Sequence, residues 1–257
     1  MSDWNTELYL LNSEERNKPI FDLISHIPVN NPKRVLDIGC GPGNTTIMLK
    51  KRFASAEIIG IDNSPNMISK ARNTHEGIIW LLRDINEDIS DLGSFDIISA
   101  NAVFHWLPDH STLLPRLFSS LSLNGVFAAQ IPYFLGAPMY TPICELAGSE
   151  KWKKRVPEDK PATFHDIGFY YDILSSNFTT FDLWTTKHTH ALGSKADIMD
   201  FYEPTGFKGY LDQLDTKESK AEFLADIMSI VDSMYSPQND GKYLLRVERL
   251  FFIAQRT

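Results

Sequence analysis

Residues 35–43 read Val-Leu-Asp-Ile-Gly-Cys-Gly-Pro-Gly, and Asp62 stands nineteen residues after the last of those glycines. An apolar, β-branched run thus ends in Asp37 and the alternating glycines Gly39, Gly41 and Gly43. A second apolar run, residues 58–61, ends in another acid. Few folds suit such a pattern. It predicts a parallel β-α-β unit with a ligand-binding first turn and an acid at the second strand end, placed for a ribose.

The glycine spacing separates two ligand classes. A dinucleotide loop reads G-x-G-x-x-G, its third glycine bringing the helix close to a pyrophosphate. Here the third glycine comes one residue early and Asn44-Thr45-Thr46 follows. The loop suits a nucleoside without phosphates, and S-adenosylmethionine fits best, with its adenosine, cationic sulfonium and amino-acid tail. A tight strand-to-helix turn with no ligand is the plain alternative, and Asp62 at the right distance argues against it.

At 257 residues the chain can bury a substantial core as one large domain. Its formal charge of −8 speaks against a nucleic-acid partner, because phosphate neutralisation needs a basic face. No run approaches the roughly 18 apolar residues of a membrane span, and residues 2–5 resemble no signal peptide. The two cysteines, Cys40 and Cys144, lie about a hundred residues apart, and no Cys/His cluster has zinc spacing. The expectation is a cytoplasmic, metal-independent monomer acting on a small molecule.

Strand and helix signals alternate from 34 to 131, as a doubly wound parallel sheet requires. Strands are expected at 34–38, 56–61, 78–82, 95–100 and 126–130. Ser64-Pro65 predicts an N-cap with proline at the first helical position. Pro115 is expected in the first turns of its helix or at a kink. Beyond Pro132 the pattern breaks into an irregular, partly helical stretch to 176, an alternating strand at 178–190, helices over 195–235 and a buried strand at 243–254. Seven strands result, with one late strand reversed. The core takes 30–132, 178–190 and 243–254, and a mostly helical lid takes 1–28, 133–176 and 192–236.

Ligands of such sheets bind outside the carboxyl ends of the strands, which here carry Asp37, the glycine loop, Asp62, Asp84-Ile85, Asn101-Ala102 and Gln130. Asp62 is placed for the ribose hydroxyls, with Asn63 and Met67 beside it. Asp84 and Ile85 suit the adenine, or Asp84 caps a turn. Asp37 holds the loop or faces the methionyl amine. His105, after the fourth strand, is a side chain titrating near neutrality that could orient or deprotonate an acceptor, or simply pack. Trp106 reads as pocket wall. A DNA amino-methyltransferase of the Asn/Asp-Pro-Pro-aromatic type is excluded, the prolines being absent here. A nicotinamide oxidoreductase is disfavoured by the early third glycine and the lack of a Tyr-x-x-x-Lys pair. A non-catalytic S-adenosylmethionine-binding module stays open.

Taken together, Asp37-Ile38-Gly39-Cys40-Gly41-Pro42-Gly43-Asn44, Gly60-Ile61-Asp62, Trp106-Leu107-Pro108-Asp109-His110, Gln130-Ile131-Pro132, Tyr170-Tyr171-Asp172, Thr205-Gly206 and Arg249-Leu250-Phe251 resemble the trans-aconitate methyltransferases. These class I S-adenosylmethionine enzymes esterify a carboxylate of a small tricarboxylic acid. The resemblance covers nearly the full length and implies cofactor contacts from Trp4, Tyr9 and Arg16. Candidates for holding the acid are Tyr133, His165, Tyr170, Tyr171, Lys208 and Arg246. The chain departs from the family where His105 replaces a glutamine, Tyr133-Phe134 replaces Asp-Asn, and Thr205-Gly206-Phe207-Lys208-Gly209 replaces Thr-Gly-Leu-Arg-Pro. Those departures predict a pocket less suited to a tricarboxylate than to a more apolar acid. A carboxylate is already ionised at neutral pH, so the expected transfer needs no strong base.

Overall fold

The computed structural model describes residues 13–156 and 163–257, apart from the side chains of residues 13–16. After helix α1 (Ser13–His26) come β1 (Arg34–Ile38), α2 (Asn44–Arg52), β2 (Glu57–Asp62), α3 (Pro65–Thr74), β3 (Ile79–Leu82) and β4 (Phe95–Asn101). There follow α4 (His110–Ser119), β5 (Leu121–Pro132), α5 (Tyr140–Ala147), α6 (Ile167–Asn177), β6 (Thr180–Leu192), α7 (Lys195–Tyr202), α8 (Lys208–Leu211), α9 (Lys217–Met234) and β7 (Tyr243–Gln255). The strands form one sheet in the order β3-β2-β1-β4-β5-β7-β6. β7 is the reversed strand, antiparallel to both of its neighbours.

Residues alternate between the two faces of a strand, and a sheet covered on both sides therefore reads as a continuous apolar run. Val35, Ile97, Val126 and Phe251 point to one face, where Leu23, Leu49 and Phe53 cover them. Leu36, Ile98, Phe127 and Phe252 point to the other, against Leu113, Leu117, Tyr170 and Leu174. Ser64 caps α3 as expected, its side chain accepting from the Met67 amide at 3.2 Å, with Pro65 at the first position. Pro115 lies inside α4, beyond its first turn.

The last two strands are longer than the parallel sheet needs. β7 pairs with β5 only from Arg249 onward, whereas it pairs with β6 along its entire length. The first half of β7 and the second half of β6 therefore project past the carboxyl end of β5 as a two-stranded ribbon. Two strands alone are marginally stable. Here a separate apolar cluster supports the ribbon, joining Leu245 and Val247 to Met139, Ile143, Trp152, Phe201, Phe207, Phe223 and Ile227. Helical segments thus stand over the edge of the sheet at which its parallel strands end.

Candidate active site

A cavity of about 800 Å³ opens at that edge. One wall is the turn after β1. Gly41 has φ +54, a conformation L side chains rarely adopt, and a Cβ there would meet nothing within 4 Å. Its bare backbone therefore faces open cavity. Gly39, at φ +62, leaves no such room, since a Cβ would come within 2.4 Å of Val103. Asp62 ties the loop down: one carboxylate oxygen accepts from the Gly41 amide at 2.9 Å and the other from the Ser64 amide at 2.9 Å. The Asp62 carboxylate also lines the cavity, where its oxygens can accept from a ligand hydroxyl.

Asp37 sits behind the loop, not on the cavity wall. It is buried and accepts from the Thr46 hydroxyl at 2.6 Å. Burial pushes its carboxyl up to about 7, against the opposing pull of that hydroxyl. Gly43 likewise does not line the cavity and packs beneath His75 and Trp80. The other expected cofactor residues line it together: Asn63, Met67, Asp84, Ile85, Asn101, Ala102 and Trp106, with Gly39, Gly41 and Asp62. Ala102 has φ +55, held by its amide bond to the Gln130 carbonyl at 2.9 Å. A residue forced into this region costs on the order of 1–3 kcal/mol and persists only where its surroundings fix it. Trp4 and Tyr9 lie outside the described residues. Arg16 falls in α1, and its side chain is also outside them.

His105 lies on the far wall and is buried. Burial, then the charges of Arg249 and His110, push its imidazole down to about 3. That makes the ring a weak base, which favours the packing and orienting readings over proton abstraction. Its ring packs beside Trp106, Phe134 and Phe164, and its carbonyl accepts from the Thr163 amide at 2.8 Å.

None of the six expected acid-holding residues lines the cavity. Tyr170 is buried in the sheet's own core, bonded to His110 Nδ1 at 2.9 Å. His110 Nε2 faces the Phe104 and Leu107 carbonyls and so donates to them, leaving Nδ1 to accept from the tyrosine. His165 stacks on Phe169, and Tyr171 is exposed beside Phe181. Lys208 forms an ion pair with Asp212 at 2.8 Å. Tyr133 packs against the sheet core, whereas its neighbour Phe134 lines the cavity. Arg246 is exposed on the opposite pleat of β7 from Arg249.

Arg249 is what the sequence reading missed. It is 9% exposed and lines the cavity with Val247, Gln130, Phe201, Tyr202 and Thr205. Its charge is close enough to depress His105 and to lower the Tyr202 hydroxyl against the larger upward effect of burial. A guanidinium at this depth, on a rigid strand, can grip a planar carboxylate bidentately. Among the described residues, no group of three or more His, Cys, Asp and Glu side chains could hold a metal, and no helix is long and apolar enough to cross a membrane.

Comparison with known proteins agrees with this fold. Residues 35–125 match the methyltransferase domain family. The trans-aconitate 2-methyltransferase of Methylobacterium radiotolerans is 37% identical over 262 residues, covering 100% of this chain and 99% of the relative. That of an Escherichia coli strain is 37% identical over 257 residues, covering 100% of both. At the level of fold, the YcgJ protein of Bacillus subtilis superposes with a TM-score of 0.57 at 16% identity, over 95% of this chain and 98% of its own. Haemonchus contortus phosphoethanolamine N-methyltransferase 2, solved with S-adenosylhomocysteine, gives 0.57 at 14% identity, over 100% of this chain and 61% of its own. Full-length identity at this level places the chain in the trans-aconitate 2-methyltransferase family, as an S-adenosylmethionine-dependent methyltransferase.

Proposed function

We propose that the chain methylates a carboxylate of a small organic acid, with trans-aconitate the first acid to test. The observation that carries this reading is the pairing of Arg249 with a neutral His105 on one wall of the cavity. A phenol or ammonium acceptor must lose a proton before it reacts, and a base held near pKa 3 takes one poorly. A carboxylate arrives ionised, and Arg249 supplies the complementary charge.

The opposite wall fits the methyl donor. The bare Gly41 backbone admits close approach of a ligand, and Asp62, Asn63 and Met67 surround the place expected for a ribose. Asp84 and Ile85 lie next along the wall, where an adenine would follow. When bound, S-adenosylmethionine supplies an electrophilic methyl group, and transfer to a carboxylate oxygen breaks the C–S bond and forms a C–O bond with no proton to move. The protein's own task is alignment. Arg249 would fix the acid, His105 and Trp106 would confine it, and a lid formed by the helices within 133–156, 163–176 and 192–236 would exclude water. Well-oriented approach of this kind can supply roughly 7–11 kcal/mol.

The names of the full-length relatives support the acid class, and the two free cysteines Cys40 and Cys144 fit a reducing compartment such as the cytoplasm. The test is a methyl-transfer screen over di- and tricarboxylic acids, fatty acids and phenols. Base-labile methyl esters of carboxylic acids are the expected products. Methylation confined to phenols or amines would overturn the proposal, and cofactor binding without turnover of any compound would point to a non-catalytic module.

A further inference from the structure

Behind His105 lies a second, smaller cavity of about 60 Å³. It shares the side chains of His105, Trp106, Phe134, Tyr202 and Thr205 with the main cavity, so the two are separated by little more than those groups. The rest of its wall is mainly apolar, with Ala137, Met139, Ile143, Phe164 and Phe207, beside the side chains of Tyr140, Cys144 and Tyr210. The Cys144 thiol is turned toward the Tyr210 hydroxyl at 3.8 Å. Burial holds that hydroxyl protonated. Among the described lining residues there is no lysine, arginine, aspartate or glutamate.

The contrast between the two chambers limits what can fill each. An ionised carboxylate in the smaller chamber would lose its water and find no counter-charge, which is unfavourable. An apolar group there would lose nothing and gain dispersion contacts with aromatic and aliphatic walls. At about 15 Å³ of such space per water-sized group, the chamber accepts about four non-hydrogen atoms. We propose that the acceptor is a carboxylic acid carrying a short apolar arm of three or four carbons, and that this chamber receives the arm while Arg249 holds the carboxylate. The inference rests on the carboxylate reading above and adds a specificity determinant to it.

The experiment compares kcat/KM for succinate, methylsuccinate, propylsuccinate, hexylsuccinate and trans-aconitate with the full-length protein. Each methylene that enters the chamber should raise kcat/KM about fourfold, up to propylsuccinate, and hexylsuccinate should fall back because its tail overruns the space. Filling the chamber by Ala137→Leu, with thermal unfolding as the check on folding, should bring the propylsuccinate-to-succinate ratio close to that of methylsuccinate to succinate. Cys144→Leu makes the same test from another lining position should Ala137→Leu not fold. A flat alkyl series with trans-aconitate turned over overturns the inference alone, as does a ratio unmoved in a folded filled variant. If none of the acids is methylated while the cofactor binds, the carboxylate reading falls and takes this inference with it.

Discussion

The two walls of the cavity are built in opposite ways. The wall around Gly41 and Asp62 comes from one unbroken β-α-β unit, and its parts hold one another by local bonds such as Gly41 amide to Asp62 carboxylate. The wall around Arg249 is assembled from β5, β7, the His105 turn and the helical cluster, which lie far apart in sequence. Buried charge differs in the same way. The first wall keeps a carboxyl, Asp37, hidden behind the loop, and the second turns a guanidinium into the cavity. A ligand shared by many enzymes can be met by a local motif. An acceptor peculiar to one family calls for a surface that tertiary packing alone creates.

The largest expected effect probes the hidden acid. The carboxyl of Asp37 stands at about 7 in the folded chain against 3.8 ordinarily. Between those values the unfolded chain ionises first, so folding stability falls as pH rises, by up to about 1.4 kcal/mol per pH unit. Below pH 4 both forms are protonated and the penalty is absent. Denaturation of Asp37→Asn from pH 4 to 8 should show this slope removed relative to the parent. Parallel stability curves would mean the acid carries no such burden. Next comes Arg249→Met, which deprives a buried carboxylate of its partner and should lower kcat/KM for the preferred acid by about 2–5 kcal/mol in transition-state terms. Affinity for S-adenosylhomocysteine, measured by calorimetry, should barely move. A large loss there would dissolve the division between the walls.

Asp62→Ala should do the reverse, weakening cofactor affinity by about 1–3 kcal/mol as two backbone amides and the ribose lose their acceptor. Unchanged affinity would sink that assignment. The smallest effect is expected from pH. A histidine held near 3 stays neutral throughout pH 6–8, so His105→Gln should reduce turnover through poorer alignment without altering the shape of the pH–rate profile. If the parent profile contained an ionisation near 6.5 that the variant lost, His105 would be a base after all.

How legible each wall was follows from how it is built. The glycine turn, Asp62 and the Ser64-Pro65 cap are short-range patterns; the parallel strands read as apolar runs and β6 as an alternating one. Lys208, His165, Tyr170 and Tyr171 offer suitable chemistry but sit in segments whose tertiary placement no short-range pattern fixes. Each was taken up elsewhere, Lys208 by Asp212 and Tyr170 by His110. With Lys208 away from the cavity, its replacement of the family arginine no longer argues against a tricarboxylate. One available signal went unread. Val247, Arg249, Phe251 and Ile253 share a pleat, and a cation in the middle of an otherwise apolar row is the residue to suspect; Arg246, on the other pleat, faces solvent.

The position of β7 also orders the birth of the molecule. It is last along the fold but lies between β5 and β6, which do not pair with each other. Chains emerge from the ribosome amino end first and fold as they lengthen. The glycine turn and its neighbours can therefore gather while β6 still waits for its partner. The ribbon, the helical cluster it supports and the Arg249 wall can close only when the final strand slides into the gap. A nascent chain would acquire its nucleoside-binding half long before it could recognise anything to methylate.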